Sequence, residues 1–164
     1  GAAEFALVMV DLNFLKKINE EYGHAIGNKY INKLCDKMIS VFPDKDVYRI
    51  GGDEFVVVLT GEMYAQRDER IEVLRTSLHN RIVDEKKPWN NVSAAVGMAV
   101  YLPQKDLNSK SVFDRADEDM YARKVAMKAA SFVAMTLRRM GMARSEGMSS
   151  RVPLTRETRW MTWL

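Results

Sequence analysis

The chain has 164 residues, 47% hydrophobic and 29% charged, which fits one soluble globular domain with a sizeable core. The net charge of +3 does not indicate nucleic-acid binding, because residues 131–164 hold six arginines and two acids whereas residues 1–130 hold 19 basic and 20 acidic residues. The single cysteine, Cys35, excludes an intrachain disulfide. With no membrane-spanning apolar run and no signal-peptide pattern, we expect a cytoplasmic chain that makes no membrane contact.

The first half of the chain alternates strand and helix patterns. Residues 5–12, FALVMVDL, form a continuous apolar run that predicts a strand buried on both faces. The segment FLKKINEEYGH predicts a short helix that closes near Gly23. Residues 28–42 predict an amphipathic helix that Pro43 stops, with Cys35 on its core side. DVYRI and EFVVVL then flank two glycines and predict a hairpin.

The second half predicts two helices around one more strand. The segment EVLRTSLHNRIV, together with the isoleucine before it, places aliphatic residues at helical spacing: Ile71, Leu74, Leu78 and Ile82. NVSAAVGMAVYL predicts a strand in which Gly97 is either a bulge or a point of close packing. A long helix begins at Ser111, and a composition shift separates a domain over 1–130 from an Arg- and Met-rich extension over 131–164, whose state stays open. This order predicts an α+β fold, a mostly antiparallel central sheet flanked by helices.

The hairpin YRIGGDEFVVVL places two acidic residues, Asp53 and Glu54, at its tip. Gly51 and Gly52 predict the positive φ values of a tight hairpin, and the acids are then explained as part of a solvated turn. Asp11 suggests a second explanation, because it ends an apolar strand and a buried carboxylate needs a partner or a metal. The alternative for Asp11 is that it caps the next turn.

A strand over 5–11 beside the hairpin would bring Asp11, Asp53 and Glu54 to one edge of the sheet. Three carboxylates repel each other unless a divalent cation lies between them. Oxygen-only ligands suit Mg²⁺ or Mn²⁺, and such a centre activates hydroxyls and stabilises phosphoryl chemistry. We therefore expect a metal site at this edge.

Three separated motifs resemble the GGDEF domain, the diguanylate cyclase family. They are DLNFLKKINEEYGHAIGN, the GGDEF pentapeptide followed by VVVL, and ADEDMYARKVAMK, in the family's order over about residues 5–128. The resemblance implies a palm-like sheet similar to nucleotide cyclases. It also implies that two GTP become cyclic di-GMP and two pyrophosphates across a homodimer, with Mg²⁺ or Mn²⁺ as cofactor. An upstream sensor domain in the full-length protein is a further implication.

The resemblance also implies residue roles. Asp53 and Glu54 are the catalytic acids, and the metal ligands are Asp11, the Leu12 carbonyl, Asp53 and Glu54. Asn19 and Asn28 occupy the guanine-reading positions. The remaining implied substrate-binding positions lie in the turn after the first strand, at the hairpin glycines and on the last helix: Asn13, Phe14, Leu15, Lys16, Gly51, Gly52, Lys124 and Lys128. From the sequence alone, Lys16, Lys124 and Lys128 are equally explained as solvated helix lysines, and His24 as a structural residue.

The sequence departs from the family pattern in three places. It begins at the first strand without the helix that precedes it in the family, so we expect exposed apolar surface. The arginine–aspartate inhibitory motif is replaced by Phe42 and Lys45, so no inhibitory site is expected. Asn28 replaces an aspartate, which predicts relaxed preference for guanine, or else Asn28 caps the following helix.

Four functions remain open at this point. The first is an active diguanylate cyclase. The second is a weak or silent nucleotide-binding, regulatory module, and the third is a cyclase of relaxed base specificity. The fourth is an α+β interaction domain with a coincidental turn motif. The three acids favour the enzyme, whereas the missing helix and Asn28 favour reduced activity.

Overall fold

The fold is built on a four-stranded antiparallel sheet in the order β2-β3-β1-β4. The computed structural model describes residues 4–43, 46–78 and 86–140. The strands are listed here in chain order: β1 Phe5–Leu12, β2 Val47–Arg49, β3 Glu54–Thr60 and β4 Ala94–Val100. Strand β1 lies between β3 and β4, and its residues from Ala6 to Leu12 are all buried. The continuous apolar run is therefore explained by a central strand covered on both faces, and the predicted α+β fold is confirmed.

Two helices follow β1, and they share one glycine. Helix α1 spans Leu15–Tyr22 and helix α2 spans His24–Ile39, with Gly23 between them at φ 82°. The predicted end of the first helix is confirmed. The predicted start of the second helix at residue 28 is wrong, because α2 begins four residues earlier and ends before residue 42. Asn28 therefore lies inside the helix, and its predicted role as an N-cap is wrong as well.

The helices α3 Gly61–Ala65 and α4 Arg67–Leu78 follow β3, and a short 3₁₀ turn at Pro88–Asn90 precedes β4. The predicted stripe on α4 is confirmed for the described positions Ile71, Leu74 and Leu78, which are buried, while Ile82 lies outside the described residues. They join a core formed by one face of β1, β3 and β4 with the inner sides of α1 and α2. Cys35 is partly buried and packs against this core, as predicted.

The last helix, α5, spans Ser109–Arg139 and covers the other face of β1 and β4 with its first turns, where Val112, Ala116 and Met120 are buried. A Cβ at Gly97 would lie 2.2 Å from the Met120 nitrogen and 2.5 Å from the Ala116 oxygen. The β1–β4 register runs without interruption past Gly97. Close packing, and not a bulge, therefore explains this glycine.

Apolar side chains are exposed at the other edge of the sheet, at Tyr48 on β2 and at Ile50 just after it.

The chain divides into two compact units, residues 1–123 and 124–164. In the second unit the described residues continue α5 to Arg139 without a break at the composition shift near residue 131. The exposed apolar side chains of this segment include Phe132, Val133 and Met140. Residues 141–164 of the predicted extension lie outside the described residues. None of the helices in the described ranges combines the length and apolar character that crossing a bilayer requires.

Candidate active site

The β2–β3 hairpin places Gly51, Gly52 and Asp53 in the loop between its strands. Its backbone is closed by the amides of Ile50 and Gly51, which donate to the Glu54 carbonyl at 3.0 and 3.3 Å. The Arg49 guanidinium braces the loop from outside, donating to the carbonyl oxygens of Gly51 at 3.1 Å and Gly52 at 2.7 Å. The Arg49 side chain thus provides hydrogen-bond donors for two backbone carbonyl groups of the loop.

The predicted positive φ at Gly51 and Gly52 is wrong. Among the described glycines, positive φ occurs at Gly23 and Gly61. The last paired residues of the hairpin are Arg49 and Phe55, with five residues between them, so the loop does not require the left-handed pair of a two-residue hairpin turn. A Cβ at Gly51 would lie 2.8 Å from Glu54 Oε2, the end of a flexible side chain that can move aside. Gly52 has no neighbour within 4 Å of its Cβ position, so its backbone is open to a ligand.

The end of β1 is held from both sides. The Leu12 amide donates to the Asp53 carbonyl at 2.8 Å, and the Asn13 amide donates to the Ser93 carbonyl at 2.9 Å. Asp11, 4% exposed, lies directly opposite Glu54 in the β1–β3 register. The hairpin loop and the carboxyl end of β1 therefore form one edge, as the sequence predicts.

A strained turn follows β1. Phe14 has φ 67° and ψ 7°, the left-handed region, and its side chain is 54% exposed. Few non-glycine residues adopt this conformation, and a bulky one is an outlier. The turn ends where α1 begins, at Leu15. Because the Leu12 amide is bonded to the Asp53 carbonyl, this turn begins next to the hairpin loop. Strained backbone of this kind is common at functional sites.

An open cleft of about 410 Å³ lies between helix α1, the start of α2 and the hairpin. Its walls include five residues that the resemblance predicts, and they come from α1 and the hairpin: Leu15, Lys16, Asn19, Gly52 and Asp53. Lys16 is exposed, and its ion pair with Glu20 is long, at 3.9 Å between Nζ and Oε1. A cationic side chain, an amide and a carboxylate therefore face one volume of nucleotide size.

Two further cleft residues, Glu20 and His24, were not among the predicted site residues. The motif YGH carried the signal for His24, but helical periodicity alone gave no reason to place it beside Asp53. It reaches the cleft because Gly23 turns the chain between α1 and α2.

Gly27 is a second residue that sequence reasoning missed. A Cβ at this position would lie 1.8 Å from Asn19 Oδ1 and 3.4 Å from Leu15 Cδ1. The missing side chain of Gly27 thus leaves the space that the Asn19 amide occupies in the contact of α1 with α2. Gly27 therefore leaves room for Asn19, the side chain that the resemblance assigns to base recognition.

The sequence also singled out Asn28, Lys124, Lys128, Phe42 and Lys45. Asn28 is exposed on α2 and does not line the described cleft. Lys124 and Lys128 belong to the second unit. Phe42, at the absent inhibitory motif, is 1% exposed, and Lys45 lies outside the described residues. The roles assigned to these residues stay predictions.

The oxygen donors at this edge suit a hard divalent cation, but they do not converge. In the described ranges no group of three or more His, Cys, Asp or Glu side chains is arranged to hold a metal ion. Asp53 lines the cleft, whereas the Glu54 carboxylate turns toward Gly51, as expected where successive residues point to opposite faces. The ligand set Asp11, Leu12, Asp53 and Glu54 stays a prediction.

Comparison with known proteins agrees with this geometry. Residues 2–130 match the family described as "Diguanylate cyclase, GGDEF domain". Diguanylate cyclase A of Treponema denticola is 32% identical over 73% of this chain and 32% of its own length. Diguanylate cyclase DgcS of Shewanella oneidensis is 31% identical over 74% of this chain and 39% of its own length.

Solved structures show the same fold. The active GGEEF domain of a diguanylate cyclase from Vibrio cholerae superposes with a TM-score of 0.63 at 21% identity, over 76% of this chain and 78% of that one. The chain belongs to the GGDEF domain family of diguanylate cyclases. It spans about a third of the length of the two curated relatives named above.

Proposed function

We propose that this chain is a diguanylate cyclase domain that condenses two GTP into cyclic di-GMP with release of two pyrophosphates. The observation that carries the proposal is the cleft in which Asp53, Lys16 and Asn19 face one volume. The family and its curated relatives support cyclic di-GMP synthesis as the general activity.

The chemistry consists of two equivalent substitutions. The 3′-oxygen of one nucleotide forms a bond to the α-phosphorus of the other, the bond from that phosphorus to pyrophosphate breaks, and the hydroxyl proton leaves to a base. One nucleotide bound in one domain cannot complete both steps, so two domains must meet as a symmetric pair. The cofactor we propose is Mg²⁺ or Mn²⁺, which when bound would activate the hydroxyl and offset phosphate charge.

We propose the following roles for the residues of this chain in binding the phosphates, the base and the cation. Lys16 offers a positive charge for the terminal phosphates, and the open backbone of Gly52 allows a phosphate or ribose to approach closely. Asn19, held over Gly27, presents its amide to the base. Asp53 and Glu54 are the proposed catalytic acids, and Asp11, the Leu12 carbonyl, Asp53 and Glu54 would hold the cation.

The experiment is incubation of the protein with GTP and Mg²⁺, with products separated and identified by mass. We expect cyclic di-GMP and pyrophosphate, and a rate per protein that rises with protein concentration at low micromolar levels. GTP binding without product would instead support a regulatory nucleotide-binding module. A specific rate that does not change on dilution, in a protein that stays monomeric, would contradict the paired mechanism.

A second candidate, a cyclase of relaxed base specificity, is favoured by the amide side chain of Asn28, which lies within α2 and outside the lining of the described cleft. Gly23 occupies the N-cap of α2, so helix capping does not explain Asn28. An amide has one acceptor oxygen where a carboxylate can accept both N1–H and N2–H₂ of guanine. The test supplies GTP and ATP together to wild type and to Asn28→Asp. A higher ratio of GTP to ATP turnover in the variant supports this candidate, and an unchanged ratio excludes it.

A further inference from the structure

A hydrogen-bonded chain of three residues lies behind the strained turn. The Asn13 side chain donates through Nδ2 to the Ser93 hydroxyl at 3.0 Å, next to the bond from its backbone amide to the Ser93 carbonyl at 2.9 Å. The Ser93 amide in turn donates to the hydroxyl of Tyr30 at 3.1 Å. The three residues come from the end of β1, the approach to β4 and helix α2, which are far apart in sequence.

The chain is buried where it meets the turn. Asn13 is 7% exposed and Tyr30 is 1% exposed, so both ends of the chain are buried, while Ser93 between them is partly buried. Burial raises the pKa of the Tyr30 phenol, and its hydrogen bond from the Ser93 amide partly offsets this. The phenol therefore stays neutral at ordinary pH and accepts the Ser93 amide without a charge.

The position of the chain explains how the strained turn persists. Phe14 follows Asn13 directly and is left-handed, with no side-chain hydrogen bond capping the helix that begins after it. A bulky residue holds this conformation only where its surroundings determine it. The two bonds from Asn13 to Ser93 fix the residue before Phe14, and Leu15 is buried on the other side.

We infer that Asn13, Ser93 and Tyr30 are positioning residues that hold the turn before α1 in the shape that places Lys16, just after it, at the terminal phosphates of GTP. The inference rests on the proposed function. Ser93 and Tyr30 act through Asn13 and the turn, and neither lines the described cleft. Loss of their hydroxyls should therefore weaken contacts to the outer phosphates and leave contacts to the base and α-phosphate intact.

The experiment compares binding of GTP and GMP, in Mg²⁺, by calorimetry. In Ser93→Ala we expect the Kd for GTP to rise roughly threefold to tenfold, the effect of one lost hydrogen bond, while the Kd for GMP changes little. Ser93→Thr keeps the hydroxyl and should bind GTP as wild type does. Tyr30→Phe keeps the buried ring, removes only its hydroxyl, and should shift the GTP to GMP ratio in the same direction.

Ser77→Ala is the control, because it removes a partly buried serine hydroxyl whose hydrogen bond, to the Leu74 carbonyl at 2.8 Å, lies within α4. It should leave both affinities unchanged. A Ser93→Ala protein that loses GTP and GMP affinity equally, or that loses only thermal stability, would overturn the inference. If wild type itself binds GTP no better than GMP, the proposed function fails and the inference fails with it.

Discussion

Two acidic regions of the first unit differ in how their carboxylates are satisfied. On the outer edge of β4, Asp119 accepts the Met98 amide at 3.0 Å and pairs with Arg123 at 3.2 Å and Arg75 at 3.6 Å. Arg75 also donates to the Val96 carbonyl at 3.1 Å. These side chains satisfy the backbone groups that an edge strand would otherwise present to another chain.

At the hairpin, the acids have no such cations. Within the part of the chain that the structure describes, neither Asp53 nor Glu54 forms an ion pair. The neighbouring Arg49 guanidinium donates its hydrogen bonds to the carbonyl oxygens of Gly51 and Gly52 instead. The difference separates two uses of an acidic side chain. Acids at the β4 edge stabilise the fold, whereas acids at the hairpin remain available to a ligand.

The largest effect is expected from Asp53→Asn, with Asp119→Asn as the matched change in the other region. Loss of the cleft carboxylate should lower turnover by at least about 100-fold, the usual scale for an acid–base group. Its effect on the free energy of unfolding should stay within about 0.5 kcal/mol, because Asp53 makes no described ion pair. Asp119→Asn should do the reverse, lowering stability and keeping turnover. Full activity in Asp53→Asn would break the comparison.

The next effect is on stability, from Gly97→Ala. The new Cβ would meet backbone atoms of α5 at 2.2 and 2.5 Å, and backbone cannot move aside as a side chain can. Urea denaturation should show a loss of about 3 kcal/mol in the free energy of unfolding. Gly52→Ala is the control, since nothing lies within 4 Å of its Cβ position. Equal losses in the two variants would contradict the packing argument.

A smaller effect, on affinity, is expected from Gly27→Ala. The added methyl would displace the Asn19 amide, whose Oδ1 lies 1.8 Å from the Cβ position. GTP affinity should fall about tenfold, while alanine's better helix propensity limits the cost to stability. Asn19→Ala should cause a similar loss, and the double variant should show little further loss because the two changes act on one contact. Fully additive losses would show that Gly27 acts independently of Asn19.

The smallest effect concerns pH and sharpens the view of the structural acids. The hydrogen bond from Arg115 lowers the pKa of Asp106 below its ordinary 3.8, although burial opposes this. A lowered pKa in the folded state contributes stability above the ordinary value, and that stability is lost as pH falls through the folded pKa. The melting temperature of wild type should therefore fall more between pH 7 and pH 3 than that of Asp106→Asn. Parallel curves would exclude this contribution.

Much of the fold follows from local pattern. The continuous apolar run of β1, the strand after the glycines and the stripe on α4 each carry a period that the sheet or helix requires, so burial could be predicted residue by residue. The identity of the site followed from motifs whose acids and glycines are close in sequence. The start of α2 could not be predicted this way, because Gly27 lowers helix propensity and only its packing against Asn19 explains its presence there.

The sequence by itself determined the α+β class, the central position of β1 and the acids at the hairpin, since each depends on contacts between near neighbours or on strand periodicity. Only the tertiary structure decided what each glycine does, that His24 joins the cleft, and that Ser93 and Tyr30 stand behind the turn at Asn13. Those facts depend on how closely helices and strands that are far apart in the sequence approach each other. A local sequence pattern does not determine these distances, because they are set when the helices and the sheet pack to the density of a protein interior.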